Sequence, residues 1–289
     1  MLVPVGHEAA AVLVRGLHKR YGERTAVDGV DLEVSTGEVV AILGPNGAGK
    51  TTTVEILEGY RRRDAGEVRV LGHDPAAATP AWRARVGIVL QSVNDLSELT
   101  VHETVRHFAA YYPQPRDPDE VIATVGLADS ADQRSRLLSG GQRRRLDVAL
   151  GILGRPELLF LDEPTTGFDP AARRTFWQLI EDLAAEGTTI LLTTHYLEEA
   201  ERLAGRVAVM AHGRVLEVAS PAALGGRQQA GTTVAWTERD GSSRSTVTAE
   251  PTRVVAELGA RFGGEVPGLT VTRPTLEDTY LAMVAEEQP

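Results

Sequence analysis

A glycine-rich turn between an apolar segment and a helical segment constrains this chain more than any other feature. Residues 44–52 read GPNGAGKTT and fit the pattern G-x-x-x-x-G-K-[ST], with an apolar segment over residues 38–43 and a helical pattern over residues 51–60. Glycines let successive backbone N–H groups surround a phosphate, and the following helix N-terminus adds partial positive charge. Lys50 can reach the β and γ oxygens of a nucleotide, and the Thr51 hydroxyl can hold Mg²⁺. The four matching positions and the flanks disfavour an ordinary strand-to-helix turn.

We expect nucleotide contacts from the whole loop, which consists of Gly44, Pro45, Asn46, Gly47, Ala48, Gly49, Lys50, Thr51 and Thr52.

The composition indicates one large globular domain or one domain with a small appendage. The chain has 289 residues, 42% of them hydrophobic, and its net charge of −10 argues against a broad nucleic-acid surface. It contains no cysteine, which excludes disulfides, cysteine-bound zinc and thiol catalysis. No apolar run approaches the ~18 residues of a membrane span, and the first residues lack the basic segment of a signal peptide. We therefore expect a soluble, uncleaved chain that works at a membrane only through a partner.

Tyr21 lies between two segments with alternating apolar residues. This alternation over residues 12–21 and 30–34 predicts two half-buried strands. An aromatic ring just upstream of the phosphate-binding loop can stack on an adenine ring. A turn tyrosine packed partly on the core fits this residue equally well.

Three further apolar strands are predicted to end in polar side chains, where ligand chemistry collects in α/β sheets. These side chains are Gln91 after residues 86–90, Asp162 and Glu163 after residues 158–161, and His195 after residues 188–194. Asp162 suits Mg²⁺, while Glu163 can polarise the water that attacks a γ-phosphate. His195 can bond the γ-phosphate and orient Glu163, and Gln91 can reach Mg²⁺ or the water. The alternatives are solvated acids beyond the strand end, a structural histidine and a solvated loop glutamine.

A second anion site is predicted at the start of a later helix. Ser139, Gly140, Gly141 and Gln142 precede a segment with helical apolar spacing. A serine hydroxyl, free N–H groups and a helix N-terminus repeat the physics of the first loop. This turn could also be an ordinary helix cap. The anion-site interpretation is favoured because the chain has a phosphate-binding loop, which needs a second group to contact the bound phosphate.

The remaining segments indicate an insertion and an appended module. Residues 92–138 combine two short helical patterns with a proline-rich break, which suggests a helical insertion between strands of the sheet. Residues 205–218 predict two short strands, and a helix-length segment follows Pro221. Residues 232–287 predict strand, strand, helix, strand and helix without a catalytic cluster, so we interpret them as a packing or dimerisation module.

Taken together, these motifs resemble the nucleotide-binding subunits of ABC transporters over about residues 12–218. They are Tyr21 as the A-loop aromatic, GPNGAGKTT as Walker A, Gln91 as the Q-loop, LSGGQ from Leu138 as the signature, LLFLDE as Walker B, a D-loop through Asp169, and His195 as the switch histidine. Phe168 stands where leucine is usual in the D-loop, which leaves Asp169 in place. The resemblance implies an α/β P-loop NTPase fold with a helical subdomain at about residues 92–145. It places the ATPase domain at residues 1–222 and a small α+β extension at residues 223–289.

The run THYLEEAE from Thr194 and the tail RPTLED from Arg273 are similar to the drug-exporter branch of bacterial ABC-2 systems, which contains daunorubicin-resistance ATPases. This resemblance implies an ATPase that uses ATP and Mg²⁺ to power export of drugs or other small hydrophobic compounds. Its catalytic residues would be Lys50, Gln91, Glu163 and His195. Thr51, Gln91 and Asp162 would serve the metal.

The resemblance also implies partners. Two copies face head to tail, so that each ATP lies between Lys50 of one copy and Ser139, Gly140 and Gly141 of the other. Hydrolysis removes the γ-phosphate that joins them and opens the dimer. A separate transmembrane permease inserts a coupling helix beside Gln91 and holds the ATPase on the cytoplasmic face of the membrane.

Three other classes share these motifs. ABC ATPases of DNA repair or chromosome structure place coiled coils or zinc modules before the signature, whereas this interval is short and free of cysteine. ABC proteins of translation normally carry two nucleotide-binding units, whereas this chain has one phosphate-binding loop and one signature. An importer subunit fits the ATPase motifs as well as an exporter does.

Overall fold

A computed structural model describes residues 10–89, 98–227 and 229–286 of the chain. The chain divides into two compact units, the first ending at Val218 and the second beginning at Ala219. Gln91, predicted at the end of a buried strand, lies outside the described residues. Within the described ranges, no helix has the length and apolar character that crossing a bilayer requires.

The first unit contains nine strands and seven α-helices among its described residues. Its strands are β1 (Ala10–Tyr21), β2 (Arg24–Ser35), β3 (Val39–Leu43), β4 (Ala65–Val70), β5 (Val86–Val89), β6 (Leu158–Asp162), β7 (Thr189–Thr194), β8 (Arg206–Ala211) and β9 (Arg214–Ala219). Its helices are α1 (Lys50–Leu57), α2 (Pro80–Arg83), α3 (Val101–Ala109), α4 (Pro118–Thr124), α5 (Gly140–Ile152), α6 (Pro170–Ala185) and α7 (Leu197–Leu203).

A six-stranded sheet of order β5-β6-β7-β3-β8-β9 forms the centre of this unit, and its first five strands pair in parallel. Every residue of β6 and β7 is buried, as expected for parallel strands covered on both faces. Because β6, β7 and β3 are neighbours, the segments that follow Asp162, Thr194 and Leu43 meet at one edge of the sheet. The predicted convergence of strand ends is therefore confirmed for these three strands.

An antiparallel sheet of order β2-β1-β4 packs against the strand and helix that flank the phosphate-binding loop. Its buried residues Val14 and Val27 belong to the same core cluster as Ile42 of β3 and Leu57 of α1. At the turn end of the β1-β2 hairpin, Tyr21 pairs with Arg24. The two half-buried strands predicted around Tyr21 are present and longer than predicted.

Helix α1 ends earlier than the predicted Tyr60. Gly59 adopts a φ of 77°, and the Tyr60 N–H donates to the Glu55 carbonyl at 2.9 Å, as in a glycine-terminated helix end. A Cβ on Gly59 would lie 2.6 Å from the Pro75 carbonyl oxygen, so only glycine fits this close approach. Gly59 therefore ends the helix before Tyr60, the last residue of the predicted helical pattern.

Side chains cap the starts of helices α3 and α5, and the cap at Ser139 was predicted from the sequence. Helix α3 begins with a reciprocal capping box between Thr100 and Glu103, and α5 begins with another between Ser139 and Gln142. Helices α6 and α7 were not anticipated from the sequence. Asp169 caps α6, and Pro170 is its first residue, which is the usual N-terminal signal of a helix.

The second unit is a small α+β module. Its elements are β10 (Thr232–Thr237), β11 (Ser243–Thr248), α8 (Pro251–Phe262), β12 (Thr270–Thr272) and α9 (Leu276–Glu286). This order confirms the predicted strand, strand, helix, strand and helix. The antiparallel sheet of order β11-β10-β12 and α8 enclose a small core around Val234, Leu258 and Val266. The prediction of a helix-length segment after Pro221 is wrong. Gly225 and Gly226 have positive φ, and the structure has a single 3₁₀ turn at Leu224–Gly226.

Candidate functional site

The turn between β3 and α1 depends on glycine at two close approaches. Gly49 has a φ of 100°, and a Cβ there would lie 2.3 Å from the Ala26 carbonyl oxygen. A Cβ on Gly44 would lie 2.2 Å from the Met210 carbonyl oxygen. The backbone therefore follows a path that only glycine allows. Among the described residues, no side chain caps the start of α1, so its first N–H groups are left for a ligand.

The Lys50 side chain is held against this turn. Its side chain is 5% exposed, and Nζ donates to the carbonyl oxygens of Gly44 at 2.7 Å and Pro45 at 3.1 Å. Burial lowers the pKa of Lys50, while the charges of Glu163 and Asp162 oppose that shift. An anionic phosphate in the turn would therefore meet a desolvated ammonium group fixed by two hydrogen bonds.

A cavity of about 340 Å³ opens beside the turn. It is lined by Tyr21, Arg24, Ala26, Asn46, Gly47, Gly49, Lys50, Thr51, Thr52 and Glu163. Gly44, Pro45 and Ala48 do not line it; the first two contribute carbonyls to Lys50, and Ala48 is buried. Arg24 and Ala26 were missed, because the hairpin that carries them has no motif in the sequence.

Asp162 ends β6 with a buried carboxylate. Its Oδ1 accepts a short hydrogen bond from the Thr193 hydroxyl on the neighbouring strand β7. Burial raises the pKa of Asp162 and the charge of Glu163 adds to the rise, while the Thr193 hydrogen bond opposes it. The ionised carboxylate is thus costly in this environment and would be stabilised by a cation.

Glu163 follows in an unusual backbone conformation. Its φ is 43°, a left-handed value that costs a non-glycine residue about 1–2 kcal/mol. The Glu163 N–H donates to Thr193, to the carbonyl oxygen at 3.1 Å and to the hydroxyl at 3.0 Å. Thr193 therefore holds both acids of the Walker B pair, a role that nothing in the sequence singled out.

The Glu163 carboxylate lies between two other predicted site residues. Its Oε1 is 3.9 Å from Lys50 Nζ, and its Oε2 is 3.4 Å from His195 Nδ1. His195 follows β7 directly, is 38% exposed and stacks on Tyr196 with ring centroids 4.1 Å apart. Lys50, Asp162, Glu163 and His195, distant in sequence, are thus brought to one edge of the sheet.

Tyr21 lines the same cavity with a partly exposed ring. The residue is 41% exposed, and its ring centroid lies 5.4 Å from Lys19 Nζ and 5.6 Å from Arg61 Cζ. This partial exposure fits a ring that stacks on adenine and also fits the alternative of a turn tyrosine packed partly on the core. Its position suits a flat group at the rim of the cavity.

The signature residues lie outside this cavity. The Gln142 N–H donates to Ser139 Oγ at 3.2 Å, and the Ser139 N–H donates to Gln142 Oε1 at 2.9 Å. Ser139 and Gly140 are exposed, and a Cβ on Gly140 would have no atom of the described residues within 4 Å. Asp169 likewise lies outside and accepts hydrogen bonds from the N–H groups of Ala171 and Ala172. The structure thus does not bring the two predicted anion sites of this chain together.

The family profile described as ABC transporter matches residues 27–166. The chain is 44% identical over 212 residues to the daunorubicin resistance ATP-binding protein DrrA3 of Streptomyces coeruleorubidus, covering 71% of this chain and 67% of that protein. The chain belongs to the ABC transporter ATP-binding family. It is also 38% identical over 300 residues to the Nod factor export ATP-binding protein I of Rhizobium sp. (strain N33), covering 96% of this chain and 98% of that protein.

Solved structures of the family share the fold. A dimeric, post-hydrolysis ATP-binding cassette bound to ADP and Pi matches with a TM-score of 0.65 and 25% identity, covering 72% of this chain and 98% of that one. The predicted P-loop NTPase fold and the resemblance to daunorubicin-resistance ATPases are confirmed. The chain is an ATP-binding ATPase, and the DNA-repair and translation classes are not favoured.

Proposed function

We propose that this chain is the ATP-hydrolysing subunit of an exporter and that it powers a separate membrane permease. The observation that carries the proposal is the Glu163 carboxylate, which lies 3.9 Å from Lys50 Nζ and 3.4 Å from His195 Nδ1 beside the phosphate-binding turn. Relatives named for daunorubicin resistance and Nod factor export support export over import. We accordingly propose drugs or other small hydrophobic compounds as the exported class.

The proposed chemistry is attack of water on the γ-phosphate. The turn and Lys50 hold the β and γ oxygens, and Tyr21 stacks on adenine. Glu163 accepts a proton from the water while the water oxygen bonds to the γ-phosphorus. The bond from that phosphorus to the ADP oxygen breaks in the same step. His195 keeps Glu163 oriented and donates toward the γ-phosphate. The carboxylate needs this position because it must reach water on the far side of the phosphorus from ADP.

The residues present fit a Mg²⁺ ion held largely by the nucleotide. The described residues contain no cluster of three or more acidic or imidazole ligands, but Mg²⁺ at nucleotides uses one or two protein oxygens with phosphates and water. The buried Asp162 carboxylate, which burial makes costly to ionise, and the Thr51 hydroxyl would hold it. The bound ion would neutralise charge on the β and γ oxygens.

We further propose a head-to-tail dimer with ATP at each interface. Ser139 and Gly140 are exposed and lie outside the cavity of their own chain. The open space beside Gly140 leaves room for the γ-phosphate of an ATP molecule that is bound to a second copy. The dimeric, ADP- and Pi-bound relative supports this arrangement. Residues 1–222 would form the ATPase domain, with its helical subdomain receiving the permease at the cytoplasmic face of the membrane. Residues 223–289 would form an accessory module.

The test is hydrolysis and dimerisation by the Glu163→Gln protein. Glutamine keeps the shape but cannot accept the proton, so we expect ATP binding near the wild-type affinity and hydrolysis slower by about 10²–10³-fold. Light scattering should show a dimer that requires Mg-ATP. The matched control is Glu120→Gln, an exposed glutamate on α4, which should behave as wild type. Hydrolysis by Glu163→Gln within threefold of wild type would refute the proposed role.

A further inference from the structure

Arg144 is a buried charged residue that the proposed hydrolysis leaves without a role. It lies on α5, five positions after Ser139, and only 7% of the residue is exposed. Its guanidinium crosses to the segment that follows β6, where Nε donates to the Pro164 carbonyl at 3.0 Å and Nη2 donates to the Asp162 carbonyl at 2.6 Å. The sequence places it within a run of three arginines without distinguishing it from its neighbours.

These two carbonyls belong to the residues on either side of Glu163. The guanidinium therefore fixes the backbone just before and just after the residue that has the left-handed φ of 43°. On the other side of the segment, Thr193 accepts from the Glu163 N–H. The Glu163 backbone is thus held between a side chain of α5 and a side chain of β7, which opposes relaxation of its strained conformation.

The chemistry of this contact requires arginine. Burial lowers the pKa of the Arg144 guanidinium, and the charges of Asp147, Asp162 and Glu199 oppose that shift. A buried cation is costly, and an apolar side chain of similar volume would fill the same space more cheaply. A planar guanidinium instead offers several donors in a fixed geometry, which sets two carbonyl groups at a defined separation.

We propose that Arg144 is a positioning residue for Glu163, which rests on the hydrolytic role proposed above for that carboxylate. By fixing the carbonyl groups of Asp162 and Pro164, it keeps the Glu163 carboxylate between Lys50 and His195. Because Ser139 caps the helix that carries Arg144, this arginine also joins the signature turn mechanically to the Walker B segment. A shift of α5 is thereby transmitted to the catalytic carboxylate.

The first test separates turnover from binding in the full-length chain. Arg144→Met should lower kcat at least tenfold and change the ATP dissociation constant less than twofold, because the cavity lining is untouched. Arg144→Lys restores the charge and one donor and should recover part of kcat. Arg145→Met is the matched control, because it also removes a guanidinium from the same helix. The Arg145 guanidinium donates to the Gly126 carbonyl, away from Glu163, so the kcat of this variant should equal that of wild type. Circular dichroism and gel filtration verify folding, and Arg144→Lys carries the test if Arg144→Met does not fold.

The second test is a double-mutant cycle with Glu163→Gln, which a general structural role would not satisfy. If Arg144 acts through Glu163, Arg144→Met should slow the residual hydrolysis of the Glu163→Gln protein less than twofold. A further tenfold loss, or wild-type kcat in both Arg144 variants, would overturn the positioning role alone. Equal hydrolysis by wild type and Glu163→Gln would instead overturn the proposed function together with this inference.

Discussion

Glu58 carries a buried carboxyl group whose replacement should change the pH dependence of stability. It follows the last residue of α1, and only 8% of the residue is exposed. Burial, with smaller contributions from Asp162 and Glu55, raises its pKa from an ordinary 4.5 to about 8. The group is therefore protonated in the folded chain at neutral pH and ionised in the unfolded chain.

The sign of the effect follows from this difference. Below pH 4.5 both states are protonated, so the full stability is present. As pH rises from 4.5 toward 8, the unfolded state ionises first, and the free energy of unfolding falls by about 1.4 kcal/mol per pH unit. The loss at pH 7 is about 3 kcal/mol. Glu58→Gln removes the titration, so its stability relative to wild type should grow by about 3 kcal/mol between pH 4.5 and pH 7.

Urea unfolding at pH 5, 6, 7 and 8 measures this difference. Trp82 and Trp177 report on the first unit, and replacing Trp236 by phenylalanine in every protein removes the signal of the second. Glu120→Gln, at an exposed position, is the control and should track wild type at every pH. A stability difference between Glu58→Gln and wild type that stays constant with pH would refute the reasoning.

The other predictions concern the site and the domain division. Lys50→Ala should weaken ATP binding by about 10–100-fold and abolish hydrolysis, measured by equilibrium binding and phosphate release, because the main cation on the phosphates is lost; wild-type binding would contradict this. Thr193→Val should lower the unfolding free energy by about 1–3 kcal/mol and lower turnover more than tenfold. The control is Thr189→Val, which removes a hydroxyl that accepts from the Gly37 N–H at 2.9 Å elsewhere in the first unit. This control should lower stability only. Equal turnover in these two variants would contradict the role of Thr193. Removing residues 223–289 should spare ATP binding, and its loss would show that the domain boundary is misplaced.

The parts of the site that could be predicted are those with their own sequence signal. The phosphate-binding turn was predicted because Gly44 and Gly49 are required by close backbone approaches that leave no alternative residue. Asp162, Glu163 and His195 were predicted to meet because each follows an apolar strand, and the parallel pairing of β6, β7 and β3 brings those ends together.

The parts that could not be predicted depend on packing between distant segments. Arg144 differs from Arg143 and Arg145 only in the face of α5 that it occupies, so its burial follows from the neighbours of that helix. Thr193 lies in a strand whose neighbouring residues look equally structural. Its role requires β6 beside β7, which the sequence alone does not establish. The early end of α1 likewise depends on the Pro75 carbonyl that excludes a side chain at Gly59.

The most direct test of the assignment to a transporter is capture of the tagged Glu163→Gln protein from its native membranes, with and without Mg-ATP, followed by mass spectrometry. The substitution should hold the ATP-bound dimer and thereby preserve its contact with the permease. We predict that a polytopic membrane protein is recovered with Mg-ATP and in smaller amount without it. Recovery of ribosomes or DNA with no membrane protein would contradict the assignment while leaving the ATP site intact.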